Sequence, residues 1–281
     1  RALSPYCSDE HEVGKDQSEK LRSLSETSEA ALYADYILRE KRSWGDVLFD
    51  FESLCVSTSK LSLDALLVLL PPLRPRDFSI AIAPSTHLIE AKDSSVNNDG
   101  DGVFSIELCV AVVEGRTRLG RSYHGLCSEY LSRMTPSSGS QQPLLQVWIR
   151  PGTFGKLPVN LTEQMGFEVP ILCVGAGTGV APMRSLIQER DAVRSMALRN
   201  MRSLPLLDEN ENILIFGCRK EHSDFYYQDE WQKMCDEKRM RILTAFSRDQ
   251  FQKIYVQKVF READGGTLIA KHILERNGAL Y

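Results

Sequence analysis

The 281-residue chain lacks both a C-x-x-C cysteine pair and a long apolar run. Its seven cysteines are odd in number and scattered, which indicates neither a disulfide framework nor a zinc site. The longest apolar run, 63–70, includes Asp64 and is far too short to cross a bilayer. No signal peptide is evident, and the chain starts at Arg1 rather than Met, so we expect a fragment of a longer protein. These absences favour a cytoplasmic protein that does not span a membrane.

An excess of basic residues is also absent. The chain has 34 Lys and Arg residues against 38 Asp and Glu residues, and its formal net charge is −4. This balance argues against general nucleic-acid binding, which usually requires a basic surface. The length and the 42% hydrophobic content predict a sizeable core divided between two domains.

The first part of the chain has a helical pattern. Residues 1–18 are polar without periodicity, so we expect them to be flexible. In 19–72 the apolar residues recur three or four positions apart, which predicts an all-helical subdomain that ends at two prolines. The predicted helix N-caps are Thr27 or Ser28 and Ser43.

Residues 73–160 have a β-rich pattern instead. Short runs of apolar and β-branched residues alternate with clusters of turn-forming residues, which is typical of an antiparallel barrel or sandwich. The predicted strands are FSIAIA (78–83), HLIEA (87–91), VFSIELCVAVVE (103–114) and LLQVWIR (144–150). The cluster at 93–102 is predicted to be a turn or an insertion, and 127–134 a short helix.

Strands and helices alternate from 168 to 281. The predicted strands are VPILCVGAG, NILIFGCR, RMRILTAFS and ALY, and helical patterns separate them. This order predicts a parallel sheet that is covered by helices on both faces. We place the boundary between the two domains at 158–168.

A glycine-rich segment, GAGTGVAP (175–182), joins the first of these strands to a helix. Glycines at such a junction let a ligand approach the backbone, and free amides at the helix start attract phosphate. Thr178 adds a hydroxyl, and no Gly-Lys-Ser/Thr follows, so this is not a Walker loop. A glycine-rich turn that binds no ligand fits the same pattern.

The third strand of this region ends at Ser247 and Arg248, and Lys253 and Tyr255 follow. Ligands of parallel sheets lie at the carboxyl ends of the strands. A guanidinium, an ammonium and two hydroxyls suit the 2′-phosphate of NADP, whereas an NAD site places an acid on the free 2′-hydroxyl. A solvated surface with ordinary charges is the alternative.

Three further stretches have a functional and a purely structural interpretation. Arg76 and Phe78 share one face of a strand, where they suit a flavin, or they are a solvent-facing arginine and a core phenylalanine. The segment 125–128 supplies amides to a pyrophosphate, or it is only a helix cap. Cys218, at a strand end, either lies near a nicotinamide or is a small buried apolar residue. The spacing alone favours the buried apolar residue.

Together these motifs resemble the ferredoxin–NADP reductase superfamily, and more narrowly the FAD/NADPH half of diflavin reductases. The resemblance rests on RPRDFSIA, GLCSEYL, GAGTGVAPMRSLIQER, FGCRKEHSDFYYQDEW and AFSRDQFQKIYVQ in this order, and it covers about 19–281. It implies an antiparallel FAD-binding β-barrel with an all-helical insertion, followed by an NADP-binding Rossmann-like domain. The first strands of the barrel and the end of the second domain are then missing from this chain.

The resemblance also implies roles for individual residues. In FAD binding, Arg76 holds a phosphate, Phe78 stacks on the flavin and Ser79 bonds near flavin N5. Cys218 lies beside the nicotinamide, and Ser79 and Cys218 are the candidates for tuning the transfer. The remaining cofactor-binding residues are Gly125, Leu126, Cys127 and Ser128 for FAD, and Gly175, Gly177, Thr178, Gly179, Arg219, Ser247, Arg248, Lys253, Tyr255 and Gln257 for NADPH. One departure is that Ile82 and Ala83 replace two serines of the family.

The implied activity is hydride transfer from NADPH to FAD, followed by release of single electrons to an FMN-binding domain that this chain lacks. The motif LRPRDFSIA is most similar to the cytosolic diflavin reductases of iron–sulfur assembly, whose acceptor is an anamorsin-like protein. Reductases of the microsomal cytochrome, sulfite or methionine synthase type are alternatives within the family. A non-catalytic interaction module and a flavin-free NADP-binding regulator are alternatives from other classes.

Overall fold

The computed structural model describes residues 1–8, 12–86, 105–134, 145–153, 156–158, 166–200, 202–204 and 208–281. The chain divides into two compact units. The first comprises 1–76 and 112–144, and the second comprises 77–111 and 145–281. The predicted strand at 87–91 and the predicted turn at 93–102 lie outside the described residues.

The first unit contains short helices. The α-helices are α1 (Glu12–Ser23), α2 (Ala30–Tyr33), which continues as a π-helical segment (Ala34–Arg39), α3 (Trp44–Asp50), α4 (Leu63–Leu69) and α5 (Leu126–Ser132), and 3₁₀ turns occur at Ser4–Tyr6, Thr27–Glu29 and Glu52–Leu54. The predicted helical character of 19–72 and the short helix near 127–134 are thus present. Because Pro71 and Pro72 cannot continue a helix, α4 ends just before them.

One of the helix N-caps predicted from the sequence is present in this unit. Ser43 forms a capping box with Asp46, as its position predicts: the Ser43 hydroxyl accepts from the Asp46 N–H, and the Asp46 carboxylate accepts from the Ser43 N–H. Neither Thr27 nor Ser28 is an N-cap, because both lie inside a 3₁₀ turn whose capping position is Glu26, and the N-cap of α2 is Glu29.

Residues 12–18, expected to be flexible, form the first turns of α1. They are held because the residues around them are buried. Leu3 and Cys7 are 5% and 2% exposed and pack in one cluster with Leu21, Phe51 and Leu54. The prediction of a flexible segment at 1–18 was therefore wrong for its described residues, because a few apolar residues in this mostly polar segment pack against the helices.

A two-stranded antiparallel hairpin, β1 (Glu114–Arg116) and β2 (Ser122–His124), completes the first unit. Its turn has Gly120 at φ +83°, a conformation that glycine adopts without a steric penalty. The Arg121 guanidinium donates to the Glu40 carbonyl at 3.2 Å and pairs with Asp46, so it ties the hairpin to the helices.

The second unit is built on a four-stranded parallel sheet in the order β5-β4-β3-β6. The strands are β3 (Ile171–Ala176), β4 (Asn212–Cys218), β5 (Arg241–Phe246) and β6 (Ala279–Leu280). Since β4 and β5 add to one side of β3 and β6 to the other, the strand order reverses at β3. This is the doubly wound arrangement predicted from the alternation of strands and helices.

Helices cover both faces of this sheet. They are α6 (Val180–Arg199), α7 (Glu221–Asp224), α8 (Gln228–Asp236), α9 (Val256–Glu262) and α10 (Thr267–Ala270), which continues as a π-helical segment (Lys271–Glu275). Residues of α6 and α8 pack with Leu214 and Phe216 on one face. Residues of α9 and α10 pack with Ile213 and Ile215 on the other. The strict alternation of β4 side chains between two cores explains its unbroken apolar sequence.

The predicted barrel is not formed by the described residues. Beyond the hairpin, their antiparallel β-pairing is limited to a bridge between Ile80 and Leu108. The segment 145–150 has no strand in the structure, and Val147, Trp148 and Ile149 are 71%, 63% and 72% exposed. Consecutive exposure shows that neither face of this segment is buried, so the barrel stays a prediction.

Candidate functional site

The carboxyl ends of β3, β4 and β5 lie side by side. In the register of the sheet, Ala176 is paired with Gly217, and Cys218 with Phe246. Chain segments that leave these ends therefore meet along one edge of the sheet. Gly217 is required there for packing, because an added Cβ would lie 2.5 Å from Val256 Cγ1.

The glycine-rich segment forms a tight turn between β3 and α6. An added Cβ on Gly175 would lie 2.9 Å from Val180 Cα, so only glycine lets the turn fold back on the helix. Gly177 has φ +54°, and no atom lies within 4 Å of a Cβ added to Gly177 or Gly179. The backbone of this turn thus faces open space at the start of a 20-residue helix, which suits close approach by a phosphate.

The Cys218 thiol is buried at the end of β4. It is 9% exposed, and its Sγ donates to the Lys220 carbonyl at 3.4 Å. Burial raises the pKa of this thiol to about 11, and the carboxylates of Asp224, Asp249 and Glu221 add to the shift. Cys218 is therefore a neutral thiol at pH 7, which excludes a thiolate nucleophile.

Two of the predicted residues at the end of β5 are bonded to two others at the end of β4. The backbone N–H of Ser247 donates to the Cys218 carbonyl at 2.9 Å, and its hydroxyl donates to the same oxygen at 3.3 Å. The next N–H, of Arg248, donates to the Arg219 carbonyl at 2.8 Å. The structure thus brings Cys218, Arg219, Ser247 and Arg248 together.

The cationic groups at this edge face solvent. Arg219 and Arg248 are exposed, although Arg219 Nε lies 3.4 Å from the Asp224 carboxylate. Lys253 is exposed in the loop after β5, and Tyr255, 53% exposed, is the N-cap residue of α9. Gln257 lies exposed in the first turn of that helix.

The residues predicted to contact a flavin are divided between the two units. Arg76, in the first unit, is exposed and donates to the Arg74 carbonyl at 2.6 Å. Phe78 and Ser79, in the second unit, are both exposed, and Phe78 is 36% exposed. The flavin roles of Arg76, Phe78 and Ser79 stay predictions.

The segment 125–128 has structural constraints of its own. A Cβ on Gly125 would lie 2.7 Å from both Ser128 Oγ and Val113 Cβ, so the glycine is fixed by packing. The Ser128 hydroxyl accepts from the Val113 N–H at 3.0 Å and donates to the Gly125 carbonyl at 3.2 Å. Its hydrogen-bonding capacity is thus largely used within the chain. Leu126 is exposed and Cys127 half-buried in the first turn of α5.

Residues 173–274 match the family of oxidoreductase NAD-binding domains. Over 98% of its length, the chain is 36% identical to NADPH-dependent diflavin oxidoreductase 1 of Mus musculus, and over 99% it is 35% identical to that of Danio rerio. It is also 31% identical, over its full length, to NADPH–cytochrome P450 reductase of Drosophila melanogaster. The chain is a relative of the diflavin reductases. The resemblance predicted from the order of the motifs is confirmed.

The match to diflavin reductases is a match to part of each relative. The chain spans 38% of the mouse protein, 39% of the zebrafish protein and 35% of the fly protein. In the part of the chain that the structure describes, no helix has the length and apolar character needed to cross a bilayer. The same residues contain no cluster of His, Cys, Asp and Glu side chains suited to a metal ion.

One network of side-chain hydrogen bonds in the second unit was not predicted from the sequence. Glu230 of α8 accepts hydrogen bonds from Arg184 and Gln188 at 2.8 and 2.7 Å. Both donors lie on α6, within the motif GAGTGVAPMRSLIQER. Their i, i+4 spacing places both side chains on one face of the helix, but it does not identify Glu230 as their partner.

Proposed function

We propose that this chain is the FAD- and NADPH-binding part of a diflavin reductase. The observation that carries the proposal is the shared sheet edge. There the open glycine turn after β3 adjoins the end of β4, and the ends of β4 and β5 present Arg219 and Arg248 on hydrogen-bonded backbone. A phosphate-accessible turn beside two exposed guanidiniums suits a dinucleotide that carries an extra phosphate.

The chain's own residues would hold the cofactors as follows. The turn around Thr178 would receive the NADPH pyrophosphate, and the 2′-phosphate would lie with Ser247, Arg248 and Lys253. Arg76 would hold an FAD phosphate, and Phe78 would cover the flavin ring. When bound, NADPH supplies a hydride and FAD accepts it, and FAD then releases the electrons singly.

The groups next to the reaction would orient and shield rather than exchange protons. Cys218 keeps its proton because burial and three carboxylates raise the pKa of its thiol. A neutral, hydrogen-bonded thiol at a strand end offers a small, fixed surface against which a nicotinamide ring can lie. We propose the same positioning role for the Ser79 hydroxyl.

For the complete protein we propose electron transfer through an FMN-binding domain to a protein acceptor. Iron–sulfur assembly in the cytosol, with an anamorsin-like acceptor, is the finer proposal. The similarity to several proteins named NADPH-dependent diflavin oxidoreductase 1 supports the diflavin reductase proposal, and the finer proposal rests on the motif LRPRDFSIA. The match to a cytochrome P450 reductase, at 31% identity, favours a cytochrome reductase as the second candidate.

The test uses the purified 281-residue chain. We expect it to retain or take up FAD, to bind NADP⁺ in calorimetry and to reduce ferricyanide with NADPH. NADP⁺ binding without flavin and without reduction would favour a nucleotide-binding regulator. Absence of both flavin and NADP⁺ binding would favour a non-catalytic interaction module.

A further inference from the structure

Helix α6, which follows the glycine turn, also forms hydrogen bonds with a segment that lies about a hundred residues earlier in the chain. Polar side chains of α6 bond to residues 81–85, which lie in the same unit. Arg184 donates to the Ala81 carbonyl at 2.8 Å, and the Ser185 hydroxyl donates to the Ile82 carbonyl at 3.1 Å.

The next turn of α6 forms further hydrogen bonds with the same segment. The Ala83 N–H donates to Gln188 Oε1 at 3.1 Å. The N–H and hydroxyl of Ser85 donate to the two carboxylate oxygens of Glu189 at 3.1 and 2.6 Å. Because Ile82 and Ala83 contribute backbone groups, their replacement of the family's two serines leaves these bonds possible.

Arg184 is the centre of the network. Its side chain is 10% exposed, and it pairs with Glu107 at 2.6 Å and with Glu230 at 2.8 Å. Its guanidinium also lies over the Tyr227 ring, 4.4 Å from the centroid. One planar guanidinium thus joins four separate segments of the chain, which a single lysine ammonium cannot do with the same geometry.

The held segment is buried but has little sheet pairing of its own. Ala81 and Ala83 are fully buried, and the backbone pairing there is the Ala81 N–H bond to the Glu107 carbonyl at 2.8 Å. Buried backbone groups need hydrogen-bond partners, and side chains of α6 supply them here. The segment is therefore fixed to the helix by specific bonds and not only by apolar packing.

We propose that Arg184 is a positioning residue for the reaction proposed above. α6 starts at the turn assigned to the NADPH pyrophosphate, and Ser79 and Phe78 lie two and three residues before Ala81. By holding 81–85 on this helix, Arg184 keeps the flavin-facing residues at a fixed distance from the nucleotide turn. This proposal rests on the proposed function.

The first experiment is hydrogen–deuterium exchange on the 281-residue chain and its Arg184→Gln variant, without added nucleotide. We expect exchange in 78–86 to accelerate by about tenfold or more, since local opening becomes easier. Arg239→Gln is the matched control, because Arg239 also pairs with two carboxylates, Asp191 of α6 and Glu237, away from this segment. The control should leave exchange in 78–86 unchanged.

The second experiment measures steady-state NADPH oxidation by the FAD-loaded protein with ferricyanide as the electron acceptor. Arg184→Gln should lower kcat by about tenfold or more, because small misplacements of reacting groups are costly, and it should leave the KM for NADPH and the Kd for NADP⁺ near their original values. Arg184→Lys, which keeps the charge but not the planar fork, should restore only part of kcat.

Unchanged exchange in 78–86 would overturn the proposal, and so would accelerated exchange with an unchanged kcat. A rise in KM with unchanged kcat would also overturn it, because that pattern indicates lost nucleotide binding. If the unsubstituted chain binds no NADP⁺ or FAD, the proposed function fails, and the exchange result still decides whether Arg184 anchors the segment.

Discussion

The Asp249 carboxylate accepts a hydrogen bond from the backbone N–H of Glu221 at 2.8 Å. Asp249 is the acidic residue next to Arg248, and its carboxylate is engaged at the start of α7. An NAD site places an acid on the ribose 2′-hydroxyl, whereas this acid already caps another segment. Arg248 itself is exposed.

Arg248→Ala should weaken NADP⁺ binding far more than NAD⁺ binding. The loss of a charge-assisted phosphate contact costs about 1.5–3 kcal/mol. This corresponds to a rise in Kd of about ten- to 150-fold. Calorimetry with both nucleotides measures the difference, and Arg261→Ala, an exposed arginine at the end of α9, controls for the change in net charge. Equal losses for NADP⁺ and NAD⁺ would contradict a 2′-phosphate role for Arg248.

Asp249→Asn should make the Cys218 thiol more reactive. Asn keeps an oxygen that can accept from the Glu221 N–H, but it removes one of the carboxylates that raise the pKa of Cys218. At a fixed alkaline pH, the alkylation rate of the Cys218 peptide should rise by roughly two- to threefold, since more thiolate is present. Peptide mass spectrometry resolves this site, and exposed Cys55 serves as the internal reference. A Cys218 rate that does not change relative to Cys55 would show that the Asp249 charge does not reach the thiol.

The elements predicted best are those whose sequence reflects burial on both faces. β3 and β4 are continuous apolar strands between turn residues, and each is confirmed where its pattern lies. The order of strands and helices also predicted that the candidate site residues would lie at the carboxyl ends of the parallel strands. By contrast, the apolar and β-branched residues of 144–150 indicate that the segment can pair but do not identify a partner strand, and the structure shows no strand in its described part.

The candidate site was predictable where its residues follow strand ends. Ser247 and Arg248 were located because a strand of β-branched and apolar residues stops there, and the register with β4 explains why they meet Cys218 and Arg219. Arg184 and Glu230 were not, because their contact depends on how α6 and α8 pack across one face of the sheet. A single sequence does not encode that contact in local spacing.

Glu211→Gln should strongly destabilise the α/β unit. The Glu211 carboxylate is 4% exposed and pairs with Arg190 and Arg194, each at 3.0 Å. Removing its charge takes the buried counterion away from the Arg190 guanidinium, which costs about 3–5 kcal/mol. Urea denaturation measures the loss of unfolding free energy.

Asp191→Asn is the matched comparison for Glu211→Gln. It breaks the ion pair between Asp191 and Arg239, whose side chains are 23% and 25% exposed, respectively. We therefore expect the free energy of unfolding to fall by about 1 kcal/mol or less. Similar losses for the two variants would show that burial does not distinguish the two ion pairs.

The buried His272 should make stability depend on pH. It is 2% exposed, and within the described ranges neither ring nitrogen has a hydrogen-bond partner. Burial, followed by the nearby Arg276 and Arg190, lowers its pKa from 6.5 to about 4, and Asp208 opposes this shift. Between pH 4 and 6.5 the unfolded chain therefore binds more protons at this site than the folded chain. The stabilisation is complete above pH 6.5 and is lost as the pH falls, by up to about 1.4 kcal/mol per pH unit.

His272→Gln tests this pH dependence. The variant should show a flatter decline in Tm between pH 7 and pH 5 than the unsubstituted chain in calorimetry. His222→Gln, at an exposed position in α7, should keep the original decline. If the two variants follow the same pH profile as the unsubstituted chain, His272 does not control the loss of stability in acid.

The partners of Arg184 are far from it along the chain. Ala81, Glu107 and Glu230 lie 103, 77 and 46 residues away, so each bond closes a long loop. Loop-closure entropy must be overcome before such contacts contribute, whereas α6 itself forms through local contacts along the helix. We therefore expect 81–85 to dock late in folding, onto a helix that is already formed. Under the proposed function, α6 is then the template on which the segment after Phe78 and Ser79 is aligned.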